Sequence, residues 1–358
     1  MRAARLSPSG LARSTPKELT GAILLEPVRA PGCSMAKGQS LDQDAAARLV
    51  AAAATGMLTR LVKIAWPEAG DVHEDEAAAQ LARAVGGAGV DLRAPRQSRF
   101  DLAAMWDGVL HLRIEPLHRL NAIDPLEVFT LFHGQAVAQG QVVCSVKVAP
   151  HLLPAATLAE GLRTARTDGP LVEVRPYRDM KVGAIAVQAI TPDALERFEQ
   201  GARRKVEALG GTFMGVVVVP DEDPDKAEKG ATEALRALVS EQSVPLLLVG
   251  GVSAGDPLSP FYAALQRRGG KVVRRGVPAH PGSMIWLAQL EHTQILGLPQ
   301  CGMFSLATAA DLVLPRLLTG EVLTAEALAD LAHGGLLGRE MRFRMPAYAR
   351  ELPAPEEP

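Results

Sequence analysis

The stretch Gly250-Gly251-Val252-Ser253-Ala254-Gly255-Asp256 concentrates the residue types best suited to chemistry in this chain. It follows the apolar run "VPLLLV" and brings three glycines, a hydroxyl and a carboxylate together. Glycines let the backbone approach a ligand closely and present its N–H groups. A helix start after such a loop favours an anion. Ser253 adds a hydroxyl. Asp256 repels a phosphate placed directly on it, so its chemical reading is a general base, or a ligand to a bridging cation such as Mg2+. The bland readings are that Asp256 caps the next helix and that Ser253 bonds within its own turn.

Two more stretches have related character. "HPGSM" supplies His280, Pro281, Gly282 and Ser283 as a turn before a strand, and "GLPQCGMFS" supplies Pro299, Gln300, Cys301 and Gly302 before a helix. His280 offers a cation that is only partly charged near its ordinary pKa. Cys301 reads first as a small buried residue, with a thiol that binds a ligand or metal as the alternative. Around His73, "DVHEDEA" invites a metal reading, but clustered acids also suit a helix start. Arg274-Arg275 reads as a solvated strand end, with anion steering or a dimer contact as alternatives.

These loops need elements to hold them. "KVGAIAVQAI" reads as a strand, and Thr191-Pro192-Asp193 as the cap of a helix. Leu195, Phe198, Ala202, Val206 and Leu209 then recur at helical spacing. "FMGVVVVP" reads as a strand covered on both faces. Asp223-Pro224 starts a second helix, "VPLLLV" is a third strand, and a helix after Pro257 carries Phe261, Ala264 and Leu265. "KVVRRGV", "SMIWLAQL" and "TQILGLP" are further strands, and a last helix is expected over about 303–318. Alternating strands and helices imply a three-layer α/β/α domain with a mostly parallel sheet. Ligands bind such sheets outside the carboxyl ends of the strands, so the three loops should share one rim.

The N-terminal part reads as mixed α and β, with an Ala-rich helix in "LDQDAAARLVAAAATG" between the strands "TGAILLEPV" and "LTRLVKIAW". The expected layout is a flexible leader over 1–19, an N-terminal domain over 20–175, the α/β domain over 176–325 and a C-terminal extension over 326–358. A chain of 358 residues is long enough for two domains. Its net charge of -2 gives no field for nucleic acid or an anionic membrane, and no apolar run reaches membrane-spanning length. The N-terminus lacks a secretory apolar segment, and three scattered cysteines suit reduced thiols, so a cytoplasmic location is expected.

In order and wording, the three loops resemble the molybdopterin-binding domain of molybdopterin adenylyltransferases and molybdenumtransferases. That family commonly reads "GGVSVGD", a "KPGKP"-like turn and "GLPGNP", where this chain has "GGVSAGD", "HPGSM" and "GLPQCG". The resemblance covers about residues 180–320. "VQAITPDAL" is similar to a drifted "STGDEL", keeping Thr191 and Asp193. "MAKGQSLDQDAAARLVAAAATGMLTRLVKIAW" is similar to the segment preceding that domain in the molybdenumtransferases, and "GDVHEDEAAAQLA", "LHRLNAIDPLEVFTL" and "VKVAP" resemble a divergent branch of molybdopterin-binding proteins.

The resemblance implies a phosphate-bearing pterin held at the loops, with Asp256 near its phosphate or metal-bearing end. It also implies a role in molybdenum cofactor biosynthesis by molybdate insertion or adenylyl transfer, and a homo-oligomer. The departures are His280 and Ser283 in place of lysines, Gln300-Cys301-Gly302 in place of "GNP", and Pro192 and Ala194 in place of Gly and Glu. They leave open a non-catalytic module that stores or delivers the cofactor. A nucleotide-processing protein of the same fold is a third reading.

Overall fold

The computed structural model describes residues 1–352 except 97, 189, 299–302, 304 and 305. The chain forms two units. One comprises Met1–Ala103, Arg113–Thr130 and Val142–Val172, and the other Ala104–Leu112, Leu131–Gln141 and Glu173 onward.

The second unit is built on a six-stranded sheet. Its spatial order is Thr212–Val219, Lys181–Val187, Leu246–Gly250, Thr293–Gly297, Trp286–Leu290 and Lys271–Arg275. The first four strands run parallel, and Trp286–Leu290 is antiparallel to both of its neighbours. Side chains alternate across the sheet as the pleat requires. Val182, Ala184, Ala186, Leu246, Leu248, Leu287 and Leu296 face a core shared with the helices Pro192–Glu207 and Ala310–Leu318. Ile185, Val187, Leu247, Val249, Trp286, Ala288 and Ile295 face the helices Pro224–Leu235 and Pro260–Arg267. The result is the expected three-layer α/β/α domain with a mostly parallel sheet.

Three details differ from the sequence reading. Thr212–Val219 is an edge strand, and Met214, Val217 and Val218 are exposed. An apolar run fixes strand type but not strand order, so it cannot show that one side is left open. The helix after the Gly250 loop begins at Pro260, four residues past Asp256, and Ser259 holds the cap position. The last helix begins at Ala310.

The C-terminal segment is part of this core: Leu328, Leu331, Leu337, Met345, Tyr348, Ala349 and Leu352 pack into it. A small sheet of Ala136–Val137, Gly108–Leu112 and Val172–Pro176 accompanies it.

The first unit is mixed α and β. Its sheets include Arg2–Leu6, Val62–Trp66 and Ile23–Leu24 in one, and Leu126–Thr130, Val142–Val148, Arg99–Ala104 and Val90–Leu92 in another. The Ala-rich helix spans Gln43–Ala54, and Asp42 caps it by accepting from the Ala45 N–H at 2.7 Å. The leader is not a tail. Arg2–Leu6 pairs antiparallel with Val62–Trp66, and Leu11 and Leu19 are buried. A basic, Ser-rich composition masked the leucines that anchor it.

Candidate functional site

Ile185, Val249, Gly297, Trp286 and Arg275 lie in one register across the sheet. They mark its carboxyl rim, where Leu246–Gly250 and Lys271–Arg275 both end. The rim loops are fastened to each other by close contacts at glycine. Gly251 has φ of +82°, and a Cβ there would lie 2.5 Å from the Val187 carbonyl oxygen. Only glycine allows the backbone to pass so close to the neighbouring strand end. A Cβ on Gly250 would lie 2.5 Å from Met303 Cε, so the Met303 side chain packs onto Gly250.

The Pro-Gly turn reaches the same place. A Cβ on Gly282 would lie 2.8 Å from the Ala309 nitrogen, and Ala309 N–H donates to the Pro281 carbonyl at 2.8 Å. A Cβ on Gly255 would meet Met284 Cε at 3.1 Å. Gly250 therefore packs against Met303, Gly255 against Met284, and the Pro281–Gly282 turn against Ala309.

The polar groups have defined local roles. Ser253 Oγ accepts from Gly255 N–H at 3.1 Å, and Asp256 Oδ1 accepts from Leu258 N–H at 3.0 Å. Asp256 is exposed, and its Oδ2 has no protein partner among the described residues. Thr191 caps its helix by accepting from Ala194 N–H at 3.3 Å, and Asp193 is exposed in the first turn. Both follow the carboxyl end of Lys181–Val187. His280 is exposed, and its backbone bonds to Gly335 and Leu337 of the C-terminal segment. Ser283 accepts at its carbonyl from Val277 N–H. Pro299, Gln300, Cys301 and Gly302 lie outside the described residues. The other cysteines, Cys33 and Cys144, are free and buried.

Sequence reasoning missed an aromatic floor beneath the Gly250 loop. Trp286 Nε1 donates to the Val252 carbonyl at 2.9 Å, and Tyr262 OH donates to the Ser253 carbonyl at 3.2 Å. The Tyr262 and Trp286 rings meet edge-on at 5.2 Å. The Arg275 guanidinium lies 3.9 Å over the Tyr262 ring. Burial pushes the Tyr262 hydroxyl up to about 12, with Arg275 opposing and Asp256 adding to that shift. In a chain with only 4% aromatics, one Trp and one Tyr flanking the glycine loop was the available signal.

A second missed feature holds the last helix. Lys205 Nζ donates to Asp311 Oδ1 at 2.7 Å, Tyr348 OH donates to the same oxygen at 3.0 Å, and Asp311 Oδ2 accepts from Thr308 N–H at 2.8 Å. All three side chains are buried. Lys205 lies beside Val206 in an apolar helical stripe, so its burial was not legible. A third group comprises His111, His133, Arg316 and Glu321. Arg316 holds Glu321 in a two-point pair at 2.7 and 2.9 Å, and His111 Nε2 stands 3.7 Å from Glu321. Burial lowers the His111 pKa to about 3 and lowers that of His133.

His73 caps the helix Glu74–Val85, accepting from Asp75 N–H at 3.2 Å, and Glu74 bonds to His151 at 2.5 Å. Among the described residues no group of three or more His, Cys, Asp or Glu is placed to hold a metal ion. No helix of the described residues is long and apolar enough to cross a membrane.

No protein-family model matches the sequence. No curated protein matches it at a significant level either. Among solved structures, the chain is similar to a molybdopterin biosynthesis MoeA protein from Pyrococcus horikoshii, with 13% identity over 72% of this chain and 75% of that one, at a TM-score of 0.27. It is similar to the molybdopterin biosynthesis enzyme MoaB from Thermus thermophilus, with 18% identity over 40% of this chain and 98% of that one, at a TM-score of 0.28. A third structure is a molybdenum cofactor biosynthesis protein B, with 12% identity over 40% of this chain and 96% of that one, at a TM-score of 0.30. At these scores the likenesses carry no argument, and the architecture rests on the strand order of this chain.

Proposed function

We propose that this protein binds a molybdopterin-type ligand, a pterin bearing a phosphate, at the carboxyl rim of its six-stranded sheet, and acts in molybdenum cofactor biosynthesis. One observation carries the reading. "GGVSAGD", the specific motif of the resemblance, sits at the carboxyl rim, where Gly250 packs on Met303, Gly251 on the Val187 carbonyl and Gly255 on Met284. The neighbours named above include molybdopterin biosynthesis proteins, which agrees with the reading without adding weight to it.

In this reading the loop backbone faces the ligand's polar end, and Asp256 supplies the chemistry. Its free Oδ2 suits a base, or one ligand to a Mg2+ that takes its remaining ligands from substrate phosphate and water. Metal insertion would take molybdate as substrate, and adenylyl transfer would take ATP.

The test is mass spectrometry of small molecules released from the purified protein, followed by binding of the identified pterin. Asp256→Ala should keep pterin binding within a few-fold and abolish turnover with molybdate or ATP. A protein that neither carries nor binds a pterin overturns the reading.

A second reading is a non-catalytic module that stores or delivers the cofactor. It is favoured by His280 and Ser283 standing where the resembling family has lysines, and by the engagement of Ser253 Oγ and Asp256 Oδ1 in turns of their own loop. Tight pterin binding without turnover in the unaltered protein supports it.

A further inference from the structure

Arg275 occupies an unusual position for a residue at a strand end. It pairs in register with Trp286, in the row that continues through Gly297 to Val249, immediately before the Gly250 loop. Its guanidinium carbon lies over the Tyr262 ring, 3.9 Å from the ring centre, and Tyr262 is tied by its hydroxyl to the Ser253 carbonyl at 3.2 Å. Stacking fixes the plane of a guanidinium while leaving its five N–H donors at the edge. Among the described residues no carboxylate or carbonyl takes any of those donors. The neighbouring Arg274 differs: its donors are taken by the Gly276 and Ala325 carbonyls at 2.9 and 3.3 Å. Arg275 is exposed, whereas the ring beneath it is buried. It is thus an oriented cation with unused donors beside the glycine loop.

We infer that Arg275 is the anion-binding residue of the rim, taking a tetrahedral oxyanion of the phosphate class beside the Gly250–Asp256 loop, with Tyr262 as its positioning platform. The assignment rests on the rim being the ligand site, and names the group that would hold the ligand's phosphate. A planar guanidinium offers two parallel donors to two oxygens of such an anion. The loop amides can add to it, and Asp256 opposes it. Asp256 and Arg275 act on the Tyr262 hydroxyl with opposite signs, and a carboxylate on the Gly250–Asp256 loop repels an anion bound beside that loop. Removing the Asp256 charge should therefore tighten the anion.

The test is calorimetric titration of the full chain with inorganic phosphate at fixed ionic strength, alongside the pterin measurement above. Arg275→Ala should weaken phosphate by about tenfold or more, the scale of a charge-assisted hydrogen bond. Arg275→Lys should lose less, because the charge remains while the stacked fork is gone. Tyr262→Leu should weaken it by removing the platform. Asp256→Asn should strengthen it by a few-fold. Arg267→Ala, which removes an exposed arginine paired with Glu228, should bind as the unaltered protein does.

Phosphate binding that is equal in Arg275→Ala and the unaltered protein overturns the assignment, as does an unaltered protein that takes no phosphate. Circular dichroism of each variant separates loss of binding from loss of fold. The two ideas fail separately: Arg275-dependent phosphate binding without pterin binding removes the pterin reading and keeps the anion site, and pterin binding indifferent to Arg275 does the reverse.

Discussion

Trp286 donates its buried indole N–H to the Val252 carbonyl, 2.9 Å away. A residue of the antiparallel strand thereby pins the loop that leaves a parallel strand two positions across the sheet. The same ring lies against Gly297, where a Cβ would come within 2.0 Å of it. One side chain thus sets the depth of the glycine loop.

Trp286→Phe keeps most of the ring and removes the donor. It leaves a buried carbonyl unsatisfied, at a cost of about 1–3 kcal/mol. Urea unfolding should show that loss, and hydrogen exchange should quicken at the amides of 252–256.

Gly251→Ala and Gly255→Ala should part company. Gly251 combines a left-handed backbone with a carbonyl neighbour that cannot yield. The backbone alone makes alanine there cost about 1–2 kcal/mol, and the clash adds to it. At Gly255 the added methyl meets the end of an exposed methionine at 3.1 Å and touches Ser253 Oγ at an ordinary 3.7 Å. Thermal unfolding should fall clearly for the first variant and little for the second.

Lys205→Met should destabilise the protein by about 3–5 kcal/mol, because it strands the buried Asp311 carboxylate. The double variant Lys205→Met/Asp311→Leu should recover much of that loss, since the unpaired charge is gone. Denaturant midpoints of the two singles and the double form the test. Tyr348→Phe should cost less, about 1–2 kcal/mol for one hydrogen bond.

Stability should fall as pH drops below about 6.5, the ordinary histidine value. His111 has its pKa lowered by burial to about 3, so the unfolded chain binds this proton first and acid favours unfolding. The contribution is complete above about pH 6.5 and is lost progressively down to about 3, at up to about 1.4 kcal/mol per pH unit. His133 shifts in the same direction. Glu321 also resists burial's upward push, through Arg316, and ends lowered, so its contribution is lost only below the ordinary carboxylate range. The window from about pH 4.5 to 6.5 therefore reports the histidines. His111→Gln should flatten the slope of unfolding free energy there.

Alternation of strand and helix was enough to place the three glycine loops, because a right-handed strand–helix–strand path returns every parallel strand's carboxyl end to one edge. That is why the three stretches were expected at one edge; the contacts of Gly250 with Met303 and of Gly255 with Met284 agree, and residues 299–302 of the third stretch lie outside the described residues. Spatial order was not readable, since Thr212–Val219 has the composition of a central strand and lies at the edge. Asp256 was expected at a helix start, but Pro257 and Pro260 both suit one, and the chain uses the second. Arg275 could be seen only as one of two adjacent arginines. What distinguishes it from Arg274 is a contact with Tyr262, thirteen residues earlier, which no spacing rule encodes.

The interleaving of the two units bears on how the protein can be dissected. Ala104–Leu112 and Leu131–Gln141 fold with the sheet-bearing unit, although they are threaded through the other in sequence. A fragment starting at Glu173 would lose the indole that Trp106 lends to the Val174 carbonyl and the amide that Gln135 gives to Phe343. Because that unit is assembled from three separate stretches of chain, neither a gene truncation nor a single protease nick can release all of it without the first unit's intervening segments.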